Sequence, residues 1–162
     1  MNYLHFINNK IAKTREDAFR TLSLWRFKNE KIVFTNGCFD ILHKGHIEYL
    51  AKAASLGTKL IIGLNSDASV KRLKGEYRPV NNENDRAILL AALSFVDHIV
   101  IFDTDTPRDL IQYVHPDILV KGGDYNPQEI VGYDIVKAKG GEVVTIDFIE
   151  GYSTTIFLNK IK

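Results

Sequence analysis

The sequence predicts a doubly wound α/β domain built on a five-stranded parallel sheet, with a helix ahead of it. Three observations carry that expectation. Short runs rich in β-branched residues alternate with helical patterns along the whole chain. The β-rich runs are nearly continuous in apolar residues and do not alternate with polar ones, as expected of strands covered on both faces. No repeat, low-complexity tract or Pro/Gly/Ser-rich linker divides the 162 residues, so short right-handed strand–helix–strand connections join the elements.

The elements follow in order. "TREDAFRTLSLWRF" opens with Thr14 and an acid three residues later, Asp17, the pattern of an N-capped helix start. Ala18, Leu22, Trp25 and, more loosely, Phe19 then recur at helical spacing. Residues 1–30 read as a helical extension packed on the domain, and residues 31–162 as the domain itself. "KIVFT" and "KLIIGL" are the first two strands, separated by a helix that begins near Gly45 and turns Ile47, Leu50, Ala51 and Ala54 inward. "NENDRAILLAALSFV" places Ile88, Leu89, Ala92, Leu93 and Val96 on one helical face. "HIVIF" is the third strand. "TPRDLIQYV" is a helix with Thr106 at its cap and Pro107 in its first turn. "DILVKG" is the fourth strand, "PQEIVGYDIVKAKGG" a helix stopped at Gly140, "EVVTIDF" the fifth strand, and "STTIFLNKIK" a closing helix capped by Ser153.

Composition narrows the function classes. Apolar residues make up 45% and charged residues 25% of the chain, with 21 Lys plus Arg against 20 Asp plus Glu. That balance argues against a nucleic-acid partner held by bulk charge. A single cysteine, Cys38, excludes an intrachain disulfide and suits a reducing compartment. No apolar run is long enough to span a bilayer, and "MNYLHFINNK" lacks the features of a secretory signal. The expectation is a cytoplasmic protein without a membrane partner.

One stretch is unlike the rest. "FTNGCFDILHKGHIEYL", from Phe34, crowds Asn36, Gly37, Cys38, Asp40, His43, Gly45 and His46 into the end of a buried strand and the start of the next helix. In doubly wound folds ligands bind at the carboxyl ends of the strands, where the strand order reverses. Gly37 allows a sharp turn and close approach of a ligand. A helix N-terminus offers unpaired N–H groups and the positive end of the peptide dipole, which suits phosphate. His43 and His46, three apart, fall on one side of the first turn, where imidazole N–H groups could donate to charge that grows during a reaction. Two other readings stand beside this one. The stretch could be a plain strand–turn–helix joint, or His43, His46 and Asp40 could hold zinc, although no further cysteine or H-E-x-x-H pattern completes a ligand set.

Elsewhere, Lys71, Arg72, Lys74 and Arg78 form a basic cluster after the second strand. It reads either as a solvated surface or as a phosphate site, with Lys74 and Arg78 favoured for function. Arg86 could support the same site or lie on a helix surface. Cys38 reads as a small packed residue, whose place beside a helix N-terminus could also make it acidic.

"GCFDILHKGH" matches the G-x-F-D-x-x-H-x-G-H signature of the nucleotidyltransferases related to class I aminoacyl-tRNA synthetases, and "GYSTTIF" resembles their second signature. "LNSDASVKRLKGEYRPVNNENDRA", "DTPRDLI" and "HPDILVKGGDY" narrow the likeness. Together they resemble the adenylyltransferase domains of ADP-heptose synthesis, over nearly the whole chain and in a form without a fused sugar kinase. The resemblance implies a Rossmann-like nucleotidyltransferase fold. It also implies transfer of AMP from ATP to D-glycero-β-D-manno-heptose 1-phosphate, with pyrophosphate leaving and magnesium accompanying the ATP. It implies a functional link to a separate heptose kinase and phosphatase, within lipopolysaccharide precursor synthesis; a homo-oligomer is left open.

By the same resemblance His43, His46 and Lys74 are catalytic. Asn36, Gly37, Cys38, Phe39, Asp40, Gly45 and Asn65 would join the histidines around the nucleotide. Lys121, Gly122, Asp124 and Tyr125 would line it from the fourth strand, and Ser153, Thr154 and Thr155 from the closing helix. Lys71, Arg72, Lys74 and Arg78 would serve the substrate phosphate. No protein cage for a metal is visible. Related glycerol-phosphate cytidylyltransferases carry an arginine shortly before Ser-Thr-Thr, where this chain has Phe148. That departure favours ATP over the alternative, a cytidylyltransferase for an alcohol or sugar phosphate. A non-catalytic nucleotide-binding module is the alternative of another class.

Overall fold

The computed structural model describes residues 2–147 and 151–161. A parallel sheet runs in the order β1-β4-β3-β2-β5-β6, formed by β1 (Ile11–Ala12), β2 (Ile32–Gly37), β3 (Lys59–Asn65), β4 (His98–Phe102), β5 (Ile118–Gly122) and β6 (Glu142–Ile146). Every pairing is parallel. The sheet therefore has six strands among the described residues, where five were expected. The extra one is β1, two residues beside Ile99 and Val100 of β4, too short to leave a periodic signal. It lies in the leading segment, between α1 (Tyr3–Asn8) and α2 (Arg15–Phe27).

The strands alternate their side chains between two covered faces. Val33, Leu60, Ile62, Leu64, Ile99 and Val120 pack with Leu50 and Ala53 of α3 (Lys44–Ala54) and with Ala87 and Leu90 of α5 (Glu83–Ala91). Ile32, Phe34, Ile61 and Leu119 pack on the other face with Leu22 of α2, Ile111 and Val114 of α6 (Arg108–Val114), and Val136 of α7 (Tyr133–Ala138). Burial on both faces explains why these strands read as unbroken apolar runs. At the start of α2, Thr14 Oγ1 accepts from the Asp17 N–H, and the Asp17 carboxylate accepts from the Thr14 N–H, both at 3.1 Å.

Four helices depart from expectation. On α5 the buried face is Arg86, Ala87, Leu90 and Ala91, whereas Ile88 and Leu89 are exposed. A buried arginine shifted the true inner face out of phase with the apolar count. The inner face of α3 likewise centres on Tyr49, Leu50 and Ala53 rather than on Ile47, Ala51 and Ala54. α6 begins one residue later than expected, with Pro107 at the cap position and no side-chain cap. The helix expected over 127–141 is divided into a 3-10 turn, Pro127–Glu129, and α7. Gly132 separates them at φ +92, where a Cβ would meet Ile111 Cδ1 at 2.7 Å. The closing helix, α8 (Thr154–Ile161), starts where expected, with Ser153 Oγ accepting from the Ile156 N–H at 3.1 Å. No helix among the described residues is long and apolar enough to cross a membrane.

The chain adds β3 and β4 on one side of β2, and β5 and β6 on the other. The strand order therefore reverses between β2 and β5. Neighbouring connections diverge there, leaving a crevice at the carboxyl ends of the two strands.

Candidate active site

A cavity of about 570 Å³ occupies that crevice. Its floor is the end of β2, Asn36 and Gly37, and the end of β5, Lys121 and Gly122. Beneath them Tyr49 of α3 shares a 2.6 Å hydrogen bond with Thr35 Oγ1, and burial pushes its phenol up to about 12.

The loop from Cys38 to His43 forms one wall. Phe39 takes a left-handed conformation, φ +43, and sets its ring edge-on to His46, 5.2 Å between centroids. Strain of this kind in a non-glycine residue persists where the surroundings enforce it. At Gly37 the demand is for space, because a Cβ would come within 2.8 Å of the Phe39 ring.

His43 is the N-cap of α3, and its Nδ1 accepts from the His46 N–H at 3.4 Å. That bond assigns the tautomer: with Nδ1 accepting, the proton of a neutral ring sits on Nε2. The two imidazoles stack, 3.8 Å between centroids and 19° between planes. Gly45 lies beneath the pair; a Cβ there would stand 3.1 Å from the His43 ring and 3.0 Å from Tyr152 Cβ. Burial, followed by the neighbouring His43 and Lys74, pushes His46 down to about 4, and burial also lowers His43. Both rings are thus neutral near pH 7, and offer N–H donors rather than charge.

Charge comes from lysines. Lys74, the last residue of α4 (Asp67–Lys74), lines the cavity and has no ion pair among the described residues. Lys121 faces it from β5, lowered from its ordinary value by burial. The rest of the basic cluster is engaged elsewhere. Lys71 pairs with Glu76 at 2.5 Å, and Arg72 with Asp105 at 2.8 Å and with the Asp103 carbonyl. Arg78 donates from Nε to Asp40 Oδ2 at 2.6 Å. Asp40, nearly fully buried, also accepts from the N–H groups of Val80 and Asn81 at 2.8 and 3.0 Å. It organises the loop, while the capping role falls to His43. Burial raises the Cys38 thiol, which removes the alternative of an acidic cysteine.

Of the remaining expected residues, Cys38, Phe39, Asp40, His46, Asn65, Tyr125 and Thr154 line the cavity, whereas Gly45, Asp124, Ser153 and Thr155 do not. His43 stacks behind His46 rather than on the wall. Phe148 lies outside the described residues. Sequence reasoning missed Asp105, Thr106 and Pro107, which close the cavity after β4, and Ile130 and Val131, which close it beyond the 3-10 turn. The strand-end rule applied to β4 points to the first three. The last two depended on the break at Gly132.

Among the described residues no group of three or more His, Cys, Asp or Glu is placed to hold a metal, which gives the zinc reading no support. The same fit test applies to magnesium. Asp40, the buried carboxylate on the wall, is already occupied by a guanidinium and two N–H groups. The described residues do not form a magnesium cage.

A family profile described as cytidylyltransferase-like matches residues 34–158, from β2 into the closing helix. The chain belongs to this family. Among curated proteins it is 62% identical to the bifunctional protein HldE of Campylobacter concisus over 133 residues, 82% of this chain and 27% of that protein. It is 54% identical to the bifunctional protein HldE of Wolinella succinogenes over 149 residues, 92% of this chain and 31% of that protein. The chain thus spans about a third of the length of these relatives. Among solved structures, the lipopolysaccharide core biosynthesis protein from Thermoplasma volcanium is 28% identical, with a TM-score of 0.59 over 76% of this chain and 99% of that one. A pantoate-beta-alanine ligase from Francisella tularensis shares the fold at 16% identity, with a TM-score of 0.59 over 93% of this chain and 77% of that one. The cytidylyltransferase-like fold is therefore the frame on which the H-x-G-H turn, the Lys74 helix and the α8 N-terminus meet.

Proposed function

We propose that this cytidylyltransferase-like chain is an adenylyltransferase that joins AMP from ATP to D-glycero-β-D-manno-heptose 1-phosphate. The observation that carries the reading is one cavity holding an uncharged His46, a Lys74 with no ion pair among the described residues, and Thr154 of the closing helix. The kinship with the HldE proteins supports the heptose assignment. A phosphate oxygen of the sugar 1-phosphate attacks the α-phosphorus, a P–O bond forms, and the bond to the β-phosphate breaks as pyrophosphate leaves. The nucleophile is already anionic, so no protein base is needed, and catalysis consists of positioning and charge stabilisation.

His46 donates an N–H to the transferring phosphate. A neutral imidazole still donates, and that hydrogen bond strengthens as negative charge grows on its acceptor. His43 fixes the His46 ring by stacking and caps the helix whose N–H groups face the phosphates. Lys74 supplies formal charge from one side and Lys121 from the other. The nucleotide lies toward β5 and α8. The sugar lies toward Asn65, Asp105 and Thr106, whose carboxylate, amide and hydroxyl groups suit a polyhydroxylated ring. Magnesium arrives on the triphosphate, and no step above depends on it. A heptose kinase and a phosphatase would prepare the acceptor in the cytoplasm.

The test is a panel of sugar 1-phosphates against ATP and CTP, read as pyrophosphate release. Turnover with the heptose 1-phosphate and a strong preference for ATP are expected. Equal turnover with CTP overturns the base assignment, and no release with any acceptor overturns the reaction.

A further inference from the structure

Arg86 is the largest side chain fully removed from solvent among the described residues, and nothing in the transfer chemistry above employs it. A buried guanidinium is costly unless every donor is satisfied. Here its donors reach four acceptors on three separate segments. Nη1 donates to the carbonyls of Cys38 at 2.6 Å and Asn65 at 2.9 Å. Nε donates to the Asn81 carbonyl at 2.9 Å, and Nη2 to Asp67 Oδ1 at 2.7 Å.

Those segments are the His46 loop, the start of the Lys74 helix and the strap that grips Asp40. Cys38 begins the loop that carries Phe39 and leads to His46. Asn65 ends β3, and Asp67 opens α4, the helix that ends in Lys74. Asn81 belongs to the strap, whose Val80 and Asn81 N–H groups and Arg78 side chain grip Asp40. One planar cation thus sets the separation between the His46 loop and the Lys74 helix. It also turns the Cys38 carbonyl inward. Because a trans peptide sets C=O and N–H antiparallel, the Phe39 N–H is directed away from Arg86.

We propose that Arg86 is a positioning residue that aligns the His46 loop and the Lys74 helix for transfer without touching either substrate. The inference rests on the adenylyl-transfer reading. It concerns rate rather than binding, since misalignment of reacting groups by about an ångström costs turnover while many ground-state contacts remain.

The experiment compares wild type, Arg86→Lys and Asp67→Asn by kcat, ATP dissociation constant and thermal midpoint. Lysine keeps the charge but cannot reach all four acceptors. Arg86→Lys is expected to fold and to lose at least about tenfold in kcat, with ATP affinity within about threefold. Asp67→Asn keeps the carbonyl contacts and should hold kcat within about threefold, although its midpoint falls. Wild-type kcat in Arg86→Lys overturns the proposal, and so does an equal kcat loss in Asp67→Asn. Should Arg86→Lys not fold, Arg86→Ala with added ethylguanidinium carries the test. Turnover restored by ethylguanidinium and not by ethylammonium is expected; restoration by neither, or equally by both, overturns it. Absence of turnover in the wild type counts instead against the adenylyl-transfer reading.

Discussion

Two histidines at opposite ends of the sheet, His46 half-buried and His98 buried, share the same titration with different consequences. His46 lies in the first turn of α3 at the carboxyl end, and His98 opens β4 at the amino end. Burial pushes each down to about 4. His46 faces a cavity, stacks on His43 and lies near Lys74. His98 is packed edge-on against Trp25, 5.9 Å between centroids, and its Nε2 has no partner among the described residues. A lowered imidazole is therefore not itself a mark of function. What separates the two is where the N–H group leads: into a cleft lined by Lys74 and Lys121 at one end, into packed protein at the other.

The contrast can be broken or sharpened by substitution. The largest effect is expected at His46. His46→Ala should lower kcat about 100- to 1,000-fold while ATP binding stays within about threefold, measured by pyrophosphate release beside calorimetry. Adding His43→Ala should cost less than the product of the two single losses, since the stacked rings serve one phosphate. Unimpaired turnover would make His46 a second His98.

Lys74→Ala comes next, with an expected loss of about tenfold or more in kcat/KM. Lys71→Ala and Arg72→Ala should leave turnover within about twofold, because their charges are spent on Glu76, Asp103 and Asp105. Equal losses across the three would return the cluster to one undivided phosphate site.

The pH dependence sharpens the comparison through stability. A histidine held below its unfolded value of 6.5 costs nothing above that pH. Below it the unfolded chain takes up the proton first, so stability falls as pH drops from 6.5 toward about 4. For His98 the loss approaches about 3 kcal/mol at the acid end. Urea melts of His98→Leu should show a flatter acid limb, beside a pH-independent offset from losing the ring's hydrogen bond to the Lys10 backbone. An unchanged acid limb would place the titration elsewhere. Turnover per folded molecule should be nearly flat from pH 7 to 8, since burial pushes His46 down to about 4 and lowers His43 from its ordinary value.

The features legible in the sequence are those written in one short segment. The strands could be read because both faces are apolar. The H-x-G-H turn could be read because its residue types are out of place at a buried strand end. Features formed by distant segments were not legible. β1 is two residues of edge pairing. The inner face of α5 was misjudged because its central residue is an arginine, and a helical count assigns arginine to solvent. The basic cluster looked uniform at Lys71, Arg72, Lys74 and Arg78, and only the positions of Glu76, Asp103, Asp105 and Asp40 distribute it into surface pairs, a strap and one free cation among the described residues. Asp105 and Thr106 enter the cavity through the order of the strands, which no local pattern states.

The most direct measurement follows pyrophosphate released from ATP and D-glycero-β-D-manno-heptose 1-phosphate by wild type, His46→Ala and His98→Leu side by side at pH 7.5. Release by wild type and His98→Leu at similar rates, with His46→Ala slower by about two orders of magnitude, is the expected result. No release by the wild type, or equal rates for His46→Ala and wild type, would contradict a transfer site at the β2–β5 crevice.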